Sequence, residues 1–377
     1  MTIQASISMA APREGESVVS SMFNCMSAGN PVYLPSKFWE VLNSKNLGQL
    51  ETEGVENFKQ TVAQNYFTWV IGRWDTQFKY LVEHTKAQAW PSILLGGPSM
   101  LYDAWRREVS PRLSRRQQVE LSVFTKMLWK LAEQFDQHKL LKRLEEPREG
   151  NPFKIFLGRK LISQDLANSV LEFYSIREHF APPLDARVQI CELGAGYGRN
   201  AYVFANAFPN GKYIIIDIPP ALYVSQRYLT TIFPDKKVFR FRCFDSFEEV
   251  RDEFEASSLV FLLPHQAEML PAKSIDLFVN ISSLHEMTME QIRAYFGLID
   301  RLTKGYFYSK QWFVSQNEHD GICVKKEDYP ILENWRQLYL RAARVQTHFF
   351  ESMYAVESGG GSARRASAVE LTEGAKR

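Results

Sequence analysis

The sequence predicts an α/β fold: a largely parallel sheet with helices on both faces, preceded by a helical N-terminal region. Three observations predict it. Beyond residue 184, short apolar runs alternate with amphipathic stretches of helix length. Residues 212–218 contain Tyr213-Ile214-Ile215-Ile216, the unbroken apolar run of a strand buried on both faces. Between residues 35 and 145, aromatic and aliphatic residues recur every three or four positions with no longer repeat.

The chain has 377 residues, enough for two domains or one large domain with an appendage. Hydrophobic residues make up 45% and charged residues 23%, as in ordinary globular proteins. The net charge of +2 demands no nucleic-acid partner. No apolar run approaches the roughly 18 residues of a membrane span, and residues 1–21 lack the layout of a signal peptide. Cys25, Cys191, Cys243 and Cys323 are scattered, so neither a disulfide scaffold nor a thiolate zinc site is expected. A cytoplasmic protein fits this balance.

Residues 1–30 are small, polar and aperiodic, and read as a mobile arm. Residues 31–180 read as a helical lid domain. Ser36 can cap a helix carrying Phe38, Trp39 and Leu42. Residues 55–82 carry an apolar stripe that predicts a further helix, and residues 91–98, with Gly96 and Gly97, break it. Residues 112–144 and 163–178 are again helical. The α/β domain spans 181–356. Its expected strands are 188–193, 212–218, 259–263, 275–281 and 305–310; its helices are 199–208, 221–233 and 288–302. Residues 357–377 lack aromatics, are rich in Gly, Ser and Ala, and read as a disordered tail.

The most informative segment is Glu192-Leu193-Gly194-Ala195-Gly196-Tyr197-Gly198, between a strand and a helix. Glycines let the backbone turn sharply, and the helix N-terminus then offers free N–H groups to a ligand. A dinucleotide fingerprint wants a small residue at the sixth position from Gly194; Arg199 stands there. The pattern E-x-G-x-G-x-G instead resembles the first motif of class I methyltransferases that use S-adenosylmethionine. In that family, the carboxylate at the position of Glu192 helps fix the methionine amino end, and the glycines pass the amino acid and ribose. Asp217 ends the second strand, where a carboxylate can accept hydrogen bonds from both ribose hydroxyls. It can also cap the next helix. Ile218 beside it and Asn280 in the fourth strand join the expected cofactor contacts, as do His265 and Gln266 for adenine. Cys243-Phe244-Asp245 is the rival adenine contact.

The fourth strand leads into Asn280-Ile281-Ser282-Ser283-Leu284-His285-Glu286-Met287. Ligands of open α/β sheets lie beyond the carboxyl ends of the strands, which puts His285 and Glu286 beside a transferred methyl. An attacking hydroxyl must lose a proton, and an imidazole is the usual acceptor, so His285 is the expected general base. Glu286 is open to orienting the histidine, stabilising its charge or acting as base itself. It also stands where a capping box with Ser283 would place it. His319 is the reserve base. No Asp-Asp pair offers a magnesium site, so no metal is expected.

Longer stretches carry a closer resemblance. They are Asn57-Phe58-Lys59 with Asn65-Tyr66-Phe67, Gly150-Asn151-Pro152, residues 162–169, the glycine loop, residues 217–223 and residues 280–287. In these the chain resembles the sugar O-methyltransferase family, over about residues 35–355. The resemblance implies a helical region ahead of a class I methyltransferase domain and a hydroxyl acceptor. S-adenosylmethionine would be the cofactor and S-adenosylhomocysteine the product. Tyr66, Gln164, Asp165, Asn168, Gln311 and His319 are the expected acceptor contacts. A non-sugar acceptor (polyketide, peptide or amine), a non-catalytic binding protein and an NAD-type oxidoreductase remain as alternatives. The partner is a small molecule, with no nucleic acid or membrane; a homo-oligomer is open.

Overall fold

The computed structural model describes residues 14–66, 74–94 and 112–356. The expected tail at 357–377 and residues 95–98 of the expected break lie outside the described residues, and residues 91–94 of that break belong to a helix, Trp90–Leu94.

Of the expected arm at 1–30, residues 1–13 lie outside the described residues, and the rest is ordered. Residues Glu14–Ser27 form a helix, α1, and its Met22 and Met26 are buried in the core. The spacing of these two methionines is one helical turn, and their burial orders the segment. A short 3-10 turn, Pro31–Tyr33, leads to α2, Lys37–Glu53. Ser36 occupies the N-cap position, but its hydroxyl donates to the Glu286 carbonyl at 3.3 Å. The carboxylate of Asp320 caps the helix instead, accepting from Lys37 N at 3.0 Å and Phe38 N at 3.1 Å.

The stripe over residues 55–82 is not one helix. Gly54, at φ 77°, ends α2, and the 3-10 turns Val55–Gln60 and Val62–Asn65 follow. Phe58 and Val62 are buried nonetheless, so tertiary packing uses the apolar spacing without a continuous helix. The helical region continues with α3 (Trp74–His84), α4 (Trp90–Leu94), α5 (Arg115–Glu133) and α6 (Leu140–Arg143). A hairpin not anticipated from the sequence pairs β1 (Ile155–Leu157) with β2 (Lys160–Ile162). Helix α7, Gln164–Arg177, is capped by Ser163, whose hydroxyl accepts from Leu166 N at 3.0 Å.

The α/β part then runs β3 (Gln189–Leu193), α8 (Arg199–Ala207), β4 (Lys212–Ile216), α9 (Ala221–Ile232), β5 (Val238–Phe239), α10 (Arg251–Ala256) and β6 (Leu259–Leu262). It continues α11 (Pro264–Ala267), β7 (Ile275–Ile281), α12 (Met289–Leu302), β8 (Thr303–Trp312), the hairpin β9 (Val314–Asn317) and β10 (Ile322–Lys325), β11 (Trp335–Ala342) and β12 (Phe349–Val356). The main sheet has the order β11-β12-β8-β7-β3-β4-β6-β5. Its pairs are parallel except at β12, which runs antiparallel to both neighbours.

Successive strand residues point to opposite faces. Tyr213 and Ile215 join the core beneath α7, α8 and α9, whereas Ile214 and Ile216 join the core beneath α10 and α12. Burial on both sides accounts for the unbroken apolar run of β4. From β3 the chain winds one way to β4 and β6; from β7 it winds the other way to β8. The β3–β7 boundary is therefore a topological switch point, where the carboxyl ends of the strands open a crevice. Among the described residues, no helix is long and apolar enough to cross a membrane.

Candidate active site

A cleft of about 1140 Å³, solvent at its mouth included, opens at this switch point. One wall is the glycine loop after β3; another is Ile281–Ser283 with Glu286 and Met287 after β7. Asp217 and Ile218 after β4 and Pro264 after β6 form the third. The helical region closes over it with Tyr33–Ser36, Trp39, Gln64 and Tyr66.

The glycines at the turn have backbone reasons. Gly194 has φ 70°, and a Cβ there would come within 2.4 Å of the Ser283 hydroxyl. Gly196 has φ 59°, and a Cβ would approach the Tyr66 ring at 3.2 Å. A side chain at either would meet both backbone strain and occupied space.

Carboxylates dominate the cleft. Asp217 Oδ2 accepts from Gly196 N and Oδ1 from Ile218 N, each at 2.8 Å. Burial still pushes its carboxyl up to about 7, against those two hydrogen bonds. Asp217 thus holds the glycine loop in place and itself lines the cleft. Glu192 accepts from Asn200 Nδ2 at 3.0 Å and Tyr213 Oη at 2.7 Å, and burial raises its pKa as well. Glu286 is raised well above the usual carboxylate range, by burial first and by the charge of Asp217 second. Arg199 also lines the cleft, but Glu172 already neutralises it at 2.6 Å. Among the described residues the lining holds the carboxyls of Asp165, Glu192, Asp217 and Glu286 and one cation, Arg199, which is already paired; a positively charged ligand would favour the ionised form of the raised carboxyls.

His285 lies behind Glu286 and does not line the cleft. Its Nδ1 is 2.9 Å from Gln311 Oε1. Gln311 Nε2 in turn donates to Asn280 Oδ1 at 2.5 Å, and Asn280 Nδ2 donates to the Leu193 carbonyl at 2.9 Å. An amide oxygen only accepts, so this chain fixes the imidazole proton on Nδ1 and leaves the Nε2 lone pair toward Glu286 Oε1, 3.7 Å away. Burial lowers the imidazole pKa to about 4, so His285 is neutral near pH 7. The sequence expectation of a capping box at Ser283 is not met. The Ser283 hydroxyl accepts from Asn280 Nδ2 at 2.6 Å, and Glu286 ends a 3-10 turn, Leu284–Glu286.

The other expected site residues divide. Glu192, Gly194, Gly196, Asp217, Ile218, Glu286, Tyr66, Gln164 and Asp165 come together in the cleft lining. Gly198 packs behind it against Leu229. Asn280 and Gln311 are wholly buried in the chain that orients His285. His265 and Gln266 do not reach the lining; Pro264, the residue before them, does. Gln266 folds back, accepting from Leu263 N at 2.9 Å and donating to the Arg242 carbonyl at 2.8 Å, while His265 turns toward Gly29 and Cys25. Cys243 also stands outside the lining. Asn168 is buried away from it, donating to Glu172 Oε1 at 2.9 Å. His319 is exposed beside Phe38. Among the described residues, no group of His, Cys, Asp and Glu could hold a metal ion.

Sequence reasoning missed Tyr33, Ser36, Trp39, Tyr295 and Ser282 as cleft residues. The first four arrive from distant elements, and no local pattern marks them. Ser282 is different: at φ 57° it is a non-glycine residue in the left-handed region, at the mouth of β7. Only coordinates show that.

The strand order, with the glycine loop and Asp217 at its switch point, gives the chain a class I methyltransferase-like fold. No protein-family model matches the sequence, and no curated protein matches it. Solved structures are similar in fold at low identity. The magnesium protoporphyrin IX methyltransferase ChlM of Synechocystis PCC 6803, with bound SAH, is 11% identical over 69% of this chain and 95% of its own, with a TM-score of 0.36. The mitomycin 7-O-methyltransferase MmcR is 11% identical over 69% of this chain and 68% of its own, at 0.33. CrArsM, an arsenic(III) S-adenosylmethionine methyltransferase of Chlamydomonas reinhardtii, is 16% identical over 53% of this chain and 75% of its own, at 0.32. What the cleft of this chain can do depends on its own residues.

Proposed function

We propose that the protein is an S-adenosylmethionine-dependent O-methyltransferase that acts on a hydroxyl of a small, hydroxyl-rich acceptor such as a sugar or glycosylated metabolite. The observation that carries the reading is the glycine turn set against Asp217, whose carboxylate accepts from Gly196 N, at the mouth of the cleft. When bound, S-adenosylmethionine supplies an electrophilic methyl group on a positively charged sulfur. The glycine loop and the N-terminus of α8 fit its amino-acid end, and Asp217 fits the two ribose hydroxyls. Ile218 and Pro264 offer an apolar surface for the base.

Glu286 stands in the cleft wall and takes the proton from the acceptor hydroxyl. His285 stands behind it, with Nε2 3.7 Å from the Glu286 carboxyl, and Gln311 and Asn280 hold the imidazole. A cationic ligand in the cleft favours the ionised carboxylate that this role needs. Closure by Tyr33–Ser36, Trp39 and Tyr66 excludes water, which would otherwise compete as a nucleophile.

A hydroxyl-rich acceptor is inferred from the buried face of α2, which stands behind Trp39 and outside the cleft lining. Its buried residues are Leu42, Asn43 and Asn46, two amides of three. Trp39, in the cleft wall, lies one turn before Asn43 on the same face. Asn65 donates to Asn46 Oδ1 at 2.7 Å and Gln49 Oε1 at 2.6 Å. Both amide atoms of Asn43, and Nδ2 of Asn46, are buried with no protein partner. Uncharged groups that both donate and accept suit hydroxyls rather than phosphates. The test is S-adenosylhomocysteine release from S-adenosylmethionine across panels of sugars, glycosylated compounds, simple alcohols and amines. Turnover with the first two, raised in KM by Asn43→Leu with cofactor affinity kept, supports the reading. Turnover confined to amines contradicts it.

A further inference from the structure

His265 and two cysteines take no part in the cleft, yet the fold brings them together. Cys25, in α1, and Cys243, in the loop after β5, are joined by a disulfide across 218 residues of sequence, with their Cα atoms 6.0 Å apart. His265 Nε2 lies 3.9 Å from Cys25 Sγ. The imidazole is held there closely, since a Cβ on Gly29 would come within 2.4 Å of its ring.

Each sulfur lies outside the lining but beside an element that supplies a different wall of the cleft. Cys25 lies eight residues before Tyr33, where the wall Tyr33–Ser36 begins, and Asn30 between them donates to Glu268 Oε1 at 3.2 Å. Cys243 follows Arg242, whose carbonyl is gripped by Gln266 in α11; Pro264 of α11 lines the cleft. A bond between the two sulfurs therefore ties the N-terminal cover to the β6 side of the crevice.

We propose that Cys25, Cys243 and His265 form a thiol–disulfide site that clamps this end of the cleft when oxidised and frees it when reduced. The coupling to ligand rests on the methyltransferase reading; the site itself does not. Cys243 is exposed and Cys25 half-buried, so an external disulfide such as oxidised glutathione meets Cys243 first. The Cys243 thiolate attacks one glutathione sulfur and releases the other as a thiolate. Cys25 gives its proton to His265, and its thiolate attacks the Cys243 sulfur, releasing the second glutathione thiolate. Two protein thiols lose two protons and two electrons, and one glutathione disulfide gains two electrons. Reduction by a dithiol reverses the step.

The test uses the full chain with Cys323→Ser, which removes the exposed free thiol. Equilibration with oxidised glutathione should leave one titratable thiol after denaturation, against three with dithiothreitol, from the four cysteines less Cys323. S-adenosylhomocysteine should dissociate about tenfold more slowly from the oxidised form, with the difference lost in Cys243→Ser. Three thiols after oxidation, or glutathione mass retained on the oxidised chain, would overturn the site. One thiol with equal dissociation rates would overturn the clamp. The thiol count with the mass of the oxidised chain decides the site even where no S-adenosylhomocysteine binds, and that silence would count against the methyltransferase reading and the clamp with it.

Discussion

In the proposed reading, Asp217 carries two duties that pull in opposite directions. It holds the glycine loop through Gly196 N, and burial lifts its pKa to about 7. Only the ionised carboxylate can accept from both hydroxyls of a ribose. S-adenosylhomocysteine affinity should therefore be flat above about pH 7 and fall toward tenfold per pH unit below it. Asp217→Asn should lower affinity by roughly ten- to a hundredfold and remove that dependence, as calorimetry across pH would show. A flat profile in the parent would contradict the role. Glu286→Gln should cut turnover by roughly a hundredfold or more with cofactor affinity kept, and His285→Ala should do so less severely, since it acts through Glu286. Much of this was legible. The glycines and Asp217 follow from a strand, a turn and a spacing. His265 and Gln266 do not belong to the cleft lining because Pro264 starts a short helix that turns the next two residues away. No periodicity reveals such a turn.

At the scale of elements, the cover is held by contacts distant in sequence. Asp320, in the turn between β9 and β10, caps α2, and Asn317 Nδ2 ties that turn to Asp320 Oδ2 at 2.7 Å. Asp320→Ala should cost about 1 kcal/mol in urea denaturation. It should also loosen acceptor binding more than cofactor binding, because α2 carries Trp39 and the amide face. A loss of cofactor affinity alone would contradict that division. The strands of the sheet were readable because burial on both faces leaves apolar runs. The cover was not, because Gly54 and the 3-10 turns break the helical period while keeping Phe58 and Val62 buried. The strands β11 and β12 and the hairpin β1–β2 also lacked a clear sequence pattern.

At the scale of the molecule, the helical region and the sheet meet through a buried charge cluster. Glu172 of α7 accepts from Arg199 of α8 at 2.6 Å and Lys310 of β8 at 2.7 Å. Burial opposes its ionisation, but the two cations hold its carboxyl down to about 2. A carboxyl depressed on folding adds stability above its ordinary pKa of 4.5, and that contribution is lost as pH falls from there toward 2. Glu172→Gln should destabilise by roughly 3–5 kcal/mol near neutrality, because two buried cations lose their anion, and should flatten acid denaturation over that window. The central claim is the methyl donor in the cleft, and calorimetry tests it most directly. The intact protein is titrated in turn with S-adenosylmethionine, S-adenosylhomocysteine and NAD, and the series is repeated on Asp217→Ala. The account predicts saturable binding of the first two, none of NAD and a large loss in the variant; binding of NAD alone, or no binding of any of the three, would contradict it.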